Sequence, residues 1–137
     1  MKKLKEIMTR NVECCKPDDN LYEAAIKMKK HKVGIIPICK DEKLVGILTD
    51  RDIVMRGVAE KRPNSTEIAG VMTDKLHTGK PDMTVDEAGN LMAEEQIRRL
   101  PIVQNGKLVG IVSLGDLAVH NSTEDEAGAA LSEISKE

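Results

Sequence analysis

The chain contains itself twice. Sliding it along itself by 64 positions aligns two segments without a gap. Met8-Thr9 falls on Met72-Thr73, and Lys16-Pro17-Asp18 falls on Lys80-Pro81-Asp82. Glu23-Ala24 meets Glu87-Ala88, Met28 meets Met92, and Pro37-Ile38 meets Pro101-Ile102. Lys43-Leu44-Val45-Gly46-Ile47 returns as Lys107-Leu108-Val109-Gly110-Ile111, and Asp52 meets Asp116. A duplication of this extent requires one supersecondary unit used twice. A single unit of about 50 residues buries too little surface to be stable alone. Two copies packed about a pseudo-two-fold axis supply the missing core. The expected division is residues 1–60 for the first repeat, 61–120 for the second, and 121–137 for a C-terminal tail.

Each repeat reads as strand, helix, strand, strand, helix, an α+β arrangement. A helical turn ends at Ile7-Met8-Thr9, and a short strand is expected over Val12 to Cys15. Asn20 with Glu23, and Thr84 with Glu87, have the spacing of a helix-capping pair. The helices that follow place Leu21, Ala24, Ala25 and Met28, and in the copy Val85, Ala88, Leu91 and Met92, at helical spacing. Two apolar runs, Ile35 to Cys39 and Leu44 to Leu48, flank a charged turn in a hairpin pattern. The second copy carries Asn105-Gly106 at that turn, a strong hairpin signal. A last helix starts near Thr49 or Ser113. Gly57 to Ser65 forms a short polar connection between the repeats. The tail has a capped start at Asn121 and a weak apolar stripe of Ala127, Ala130, Leu131 and Ile134, which suits a short helix or a frayed end.

Composition narrows the function classes. The chain has one Tyr and no Phe or Trp, so aromatic platforms for stacking single-stranded bases are excluded. A formal charge of −2 does not suit a protein built to coat phosphate backbones, so nucleic acid is not an expected partner. No apolar run approaches the roughly 18 residues that span a bilayer, and the basic N-terminus lacks the apolar core of a secretory signal. A cytoplasmic protein is expected. Cys14, Cys15 and Cys39 show no CxxC spacing, so no metal site is expected and the thiols read as small apolar side chains. Lys27, Lys29, Lys30 and Lys32 complement a helix C-terminus, with a polyphosphate surface as the alternative. Phosphate-loop, dinucleotide-fold, metalloprotease and serine-hydrolase motifs are absent, and no nucleophile–base pair is evident; an enzyme is not expected.

Polar chemistry concentrates where a buried strand ends. Gly46-Ile47-Leu48-Thr49-Asp50-Arg51-Asp52 is copied as Gly110-Ile111-Val112-Ser113-Leu114-Gly115-Asp116. A helix starting at the hydroxyl residue gathers backbone N–H groups, a hydroxyl and a carboxylate at one spot. Amides and hydroxyl suit a phosphate, and a carboxylate suits paired sugar hydroxyls, so the spot suits a ribonucleotide. A hydroxyl residue followed by Asp three positions later is also an ordinary helix cap. Both readings fit the residues.

The combined pattern of Met-Thr, Pro-Asp, hydrophobic-Pro-hydrophobic and Gly-hydrophobic-x-[Ser/Thr]-x-x-Asp resembles the cystathionine-β-synthase (CBS) domain family. The tandem pair resembles a Bateman module and covers about residues 1–120. The resemblance implies a regulatory module that binds AMP, ADP, ATP or S-adenosylmethionine between the repeats, pairs into a disc-shaped homodimer, and signals through an effector protein. In its first cleft Asp52 would take the ribose and Thr49 and Arg51 would lie near the phosphates. Arg98 and Arg99 would clamp the phosphates, and the adenine would lie near His77 and Thr78. In the second cleft Ser113 and Asp116 would hold ribose and phosphate, with Glu13 and Cys14 as the adenine wall. There the matching clamp positions are Gly34 and Ile35, and Arg51 is matched by Gly115, so unequal clefts are expected with Asp52 marking the stronger phosphate site. A structural or dimerisation module without ligand, and a nucleic-acid- or metal-responsive protein, are the alternatives.

Overall fold

In the computed structural model, which describes residues 2–121, the paired apolar runs form hairpins. By contact the chain separates into two compact units, residues 13–76, and residues 1–12 together with the chain from His77 onward.

In the unit of residues 13–76, α2 (Leu21–His31) packs on a hairpin of β1 (Ile35–Lys40) and β2 (Lys43–Thr49). Asn20 Oδ1 accepts the Glu23 N–H at 2.9 Å and starts the helix. Lys29, Lys30 and His31 end it, where cations suit the helix dipole. Leu21, Ala24 and Met28 are buried against Ile36, Ile38 and Leu48. Ala25, one position beyond that stripe, is exposed instead of buried as expected. Beyond β2 come a short α3 (Asp50–Asp52), a π-helical turn (Ile53–Gly57) and a 3₁₀ turn (Val58–Glu60).

The other unit repeats the plan with α4 (Val85–Glu95), β3 (Arg99–Gln104), β4 (Lys107–Ser113) and α5 (Leu114–Asn121). Thr84 and Glu87 complete a reciprocal cap at the start of α4. Val85, Ala88 and Met92 are buried with Leu100, Ile102, Val112 and Leu117. In both hairpins β2 and β4 carry one extra residue, Val45 and Val109, where the register shifts. The turns are two residues long with positive φ at both: Asp41 (52°) and Glu42 (69°), and Asn105 (56°) and Gly106 (81°). That is the turn type whose twist matches a hairpin. Only the second copy has its preferred residues.

Each leader segment belongs to the opposite repeat. α1 (Leu4–Ile7) and Met8-Thr9 pack in the unit of the second repeat, and the 3₁₀ turn Ile68–Gly70 with Met72-Thr73 packs in that of the first. Thr9 exchanges both backbone hydrogen bonds with Ile111 at 2.9 and 3.0 Å, and Thr73 does so with Ile47 at 2.9 and 2.9 Å. Leu4 N–H donates to Met83 C=O as Ile68 N–H donates to Asp19 C=O. Lys5 reaches Asp82 at 3.0 Å and holds that carboxyl below the usual range. Compactness thus divides the chain after Val12 and Leu76, whereas sequence similarity divides it near residue 60. The polar connection is likewise no loose tether: the Asn64 and Thr66 carbonyls accept the first N–H groups of α2 at 3.0 Å, those of Tyr22 and Leu21.

The strand expected over Val12 to Cys15 is a single parallel bridge, Cys15 to Ile38, and Gly79 to Ile102 is its copy. Cys15 N–H donates to Pro37 C=O, and Cys39 N–H donates to Cys15 C=O. The next ladder bond needs an N–H at position 37, which proline lacks. Pro101 stops the copy in the same way. The expected tail helix beyond Asn121 lies outside the described residues.

Two predictions follow from this packing. A Cβ on Gly46 stands 2.6 Å from Met72 Sδ, and one on Gly110 stands 2.6 Å from Met8 Sδ. Gly46→Ala and Gly110→Ala each lower stability by about 1–3 kcal/mol in urea titration; unchanged midpoints refute the close-approach account. Glu42→Gly removes a side chain from a left-handed turn position and raises stability by about 0.5–1 kcal/mol in the same assay.

Candidate functional site

The strand ends build two similar half-sites, one in each unit. At the end of β2, Thr49 Oγ1 accepts the Asp52 N–H at 3.0 Å, and Asp52 Oδ2 accepts the Thr49 N–H at 3.0 Å. At the end of β4, Ser113 Oγ accepts the Asp116 N–H at 3.0 Å, and Asp116 Oδ2 accepts the Ser113 N–H at 2.9 Å. The cap reading of this motif is therefore present in both copies. It fixes each carboxylate through one oxygen and leaves Oδ1 as a further acceptor, since each oxygen has two lone pairs.

The half-sites differ in their surroundings. Asp52 Oδ1 lies 3.3 Å from Arg56 Nη2, and the Asp52 side chain is only 13% exposed. The same guanidinium donates to Thr73 Oγ1 at 2.8 Å, and Thr73 Oγ1 is 3.5 Å from Asp52 Oδ2. Arg56 and Thr73 escaped sequence reading. The signals were the i, i+4 spacing from Asp52 to Arg56 and the repeated Met-Thr, whose threonine reaches this carboxylate from the leader. Arg51 is exposed, its N–H held by Asp50 Oδ1 at 2.8 Å. Asp50 N–H donates to Gly34 C=O at 2.9 Å, and the Asp50 carboxylate occupies the space beside Gly34 where a Cβ would meet it at 3.1 Å. Ile35 pairs with Thr49. The clamp positions of this repeat thus face an acid.

In the other unit Arg98 and Arg99 hold the matching positions. Leu114 N–H donates to Arg98 C=O at 2.9 Å, and Arg99 pairs with Ser113. Both arginines are exposed, and the acid of the first repeat is replaced by buried Leu114. Sequence reading assigned the arginines to Asp52; register within their unit puts them beside Ser113 and Asp116. His77 and Thr78 precede the bridge at Gly79 in that unit, with His77 Nε2 3.2 Å from Glu95 Oε2. Glu13 and Cys14 precede the bridge at Cys15 in the unit of Asp52, with Glu13 3.6 Å from His31 and 3.9 Å from Lys27. Each expected ligand group is therefore divided between the two units: Thr49, Arg51, Asp52, Gly34, Ile35, Glu13 and Cys14 in one, and His77, Thr78, Arg98, Arg99, Ser113 and Asp116 in the other. Among the described residues, no cluster of three or more His, Cys, Asp or Glu could hold a metal ion.

The CBS domain profile matches residues 4–58 and 67–120. The chain belongs to the CBS domain family. It is 50% identical to the uncharacterized protein YlbB of Bacillus subtilis, covering 99% of this chain and 93% of that one. Among solved structures, the crystal structure of hypoxic response protein I with two coordinated zinc ions is similar at 37% identity and a TM-score of 0.79, covering 88% of this chain and 99% of that one. The CBS domain pair of protein MJ0100, in complex with 5′-methylthioadenosine and S-adenosyl-L-methionine, is similar at 28% identity and a TM-score of 0.80, covering 91% and 99%. The chain is a CBS pair, an α+β protein of duplicated repeats, and its helices among the described residues include none long and apolar enough to cross a membrane.

The caps make a stability prediction separable from ligand binding. Thr49→Ala loses the acceptor for Asp52 N–H and costs about 1 kcal/mol, while Thr49→Ser restores it. Urea midpoints that do not distinguish Ala from Ser refute the cap.

Proposed function

We propose that this CBS pair is a regulatory module that binds an adenosyl ligand and carries out no reaction itself. The observation that carries the reading is the duplicated hydroxyl–Asp box: in both copies a half-buried carboxylate is fixed through one oxygen and keeps acceptor capacity for a ribose. The similarity to the MJ0100 pair with its two adenosyl compounds supports that ligand class.

In this reading Asp52 and Asp116 accept the ribose hydroxyls. Glu13 and Cys14, and His77 and Thr78, present backbone to adenine rings. Thr49, Arg51 and Ser113 lie on the phosphate side. Arg98 and Arg99 bind phosphate as bidentate, permanently charged forks. Their register with Ser113 favours the Asp116 half-site for the charged ligand. Gly34 and Ile35, beside the Asp50 carboxylate, favour an adenosyl ligand without phosphate at Asp52. This reverses the order of phosphate affinity expected from sequence. The module pairs as a homodimer, for which the exposed Val54 (55%), Met55 (52%) and Val58 (69%) offer an apolar surface. Ligand binding shifts the packing that an effector protein reads.

Calorimetric titration with AMP, ATP, S-adenosylmethionine and methylthioadenosine tests the assignment. Arg98→Ala/Arg99→Ala is expected to weaken AMP about tenfold or more, the loss of charge-assisted hydrogen bonds, with methylthioadenosine little affected. Asp116→Ala abolishes AMP binding, and Asp52→Ala spares it. Silence with all four compounds sinks the reading, and AMP binding lost only with Asp52→Ala sinks the assignment of the arginines.

A further inference from the structure

Cys14 and Cys39 sit with their sulfurs 3.7 Å apart, although 25 residues separate them in the chain. The single bridge between Cys15 and Ile38 creates this proximity. In extended backbone successive side chains point to opposite faces. Cys15 (2% exposed) and Ile38 (0%) both enter the core, so their neighbours Cys14 and Cys39 share the outer face. Both are half-buried and line a cavity of about 730 Å³ with Lys16, Pro17, Lys40 and Glu42. The second repeat has Thr78 and Val103 at the matching positions, so the pair is particular to one unit.

We propose that Cys14 and Cys39 form a redox-modification site that a hydroperoxide closes to an intrachain disulfide. The Cys39 thiolate attacks the distal peroxide oxygen, breaking the O–O bond and leaving Cys39 as sulfenic acid, with the leaving oxygen protonated to water or alcohol. Cys14 sulfur then attacks the Cys39 sulfur, and hydroxide leaves and takes the Cys14 proton as water. Overall two thiols lose two electrons and two protons, and the peroxide is reduced. A thiol reductant reverses the bond by two successive exchanges.

The roles follow from the shared hydrogen bond. It pushes the Cys14 thiol up, with burial adding to the effect, and it lowers Cys39. Cys39 therefore ionises first and is the attacking sulfur, since the thiolate is the nucleophile. Burial pushes Cys15 up and its side chain faces the core, so it stays out of the reaction. A disulfide needs the two sulfurs to close to about 2.05 Å. Side-chain rotation covers that distance, because the backbone already holds the two residues at adjacent register positions. This inference stands independently of the adenosyl reading.

The test uses the full chain, reduced and then exposed to hydrogen peroxide. Thiol titration is expected to fall from three groups per chain to one, and non-reducing peptide mapping to find Cys14 joined to Cys39 within one chain. Cys15→Ser keeps the bond. In Cys14→Ser the reaction stops at sulfenic acid, and dimedone labels Cys39. In Cys39→Ser the peroxide-dependent loss of thiol slows at least tenfold. A bond through Cys15, a bond between chains, dimedone label on Cys14 in place of Cys39, or zinc copurifying on the pair and blocking oxidation each overturns the proposal.

Discussion

The fold depends on two missing side chains. Gly46 and Gly110 lie in β2 and β4 where the leader methionines Met72 and Met8 rest on the strand, and a Cβ at either would stand 2.6 Å from sulfur. That approach lets Thr73 and Thr9 exchange backbone bonds with Ile47 and Ile111. Because each leader serves the opposite repeat, neither repeat completes its core from its own contiguous sequence. Ile68 and Val71 are buried in the core of the first repeat, and Leu4 in that of the second. The repeated Met-Thr and Val-Gly-Ile are two sides of one contact.

That contact also reaches the candidate site. Thr73 follows the methionine that Gly46 admits, and its hydroxyl receives Arg56, which in turn stands over Asp52. The second repeat keeps the leader and the carboxylate but has His120 where the first has Arg56, and its chain continues as regular α5 where the first opens into a π turn. Ile53 and Val54 are β-branched and Gly57 is a poor helix former, which fits that departure from α-helix. Duplication thus preserved the box and released its surroundings. Beside one box lies Asp50 over Gly34, and beside the other lies Leu114 next to Arg98.

Sequence made legible what duplication and periodicity encode. The hairpins, the buried stripes of α2 and α4, and the hydroxyl–Asp boxes are all short-range patterns, and each appears at its expected residues. The miscarried readings concern long-range pairing. The strand over Val12 to Cys15 looked sufficient by local β propensity, but its ladder requires an N–H that Pro37 lacks. The exchange of leaders left the offset of 64 unchanged, since swapping two equivalent segments does not alter the alignment. Arg98 and Arg99 were legible as a clamp by residue type. Their neighbour was not, because it follows from pairing Arg99 with Ser113.

The double use of the carboxylates limits how the site can evolve. Asp52 and Asp116 each hold a strand-to-helix corner through Oδ2, so replacing either removes a cap as well as a ribose acceptor. An amide would keep an acceptor oxygen for the cap while losing the charge that favours sugar hydroxyls. Persistence of Asp in both copies is therefore explained only partly by folding, since Asn caps a helix about as well as Asp. The surplus, a negative oxygen not consumed by the cap, is the part of the motif that packing alone does not require. It is present in both copies although their surroundings have diverged, and it is the feature on which ligand recognition can rest.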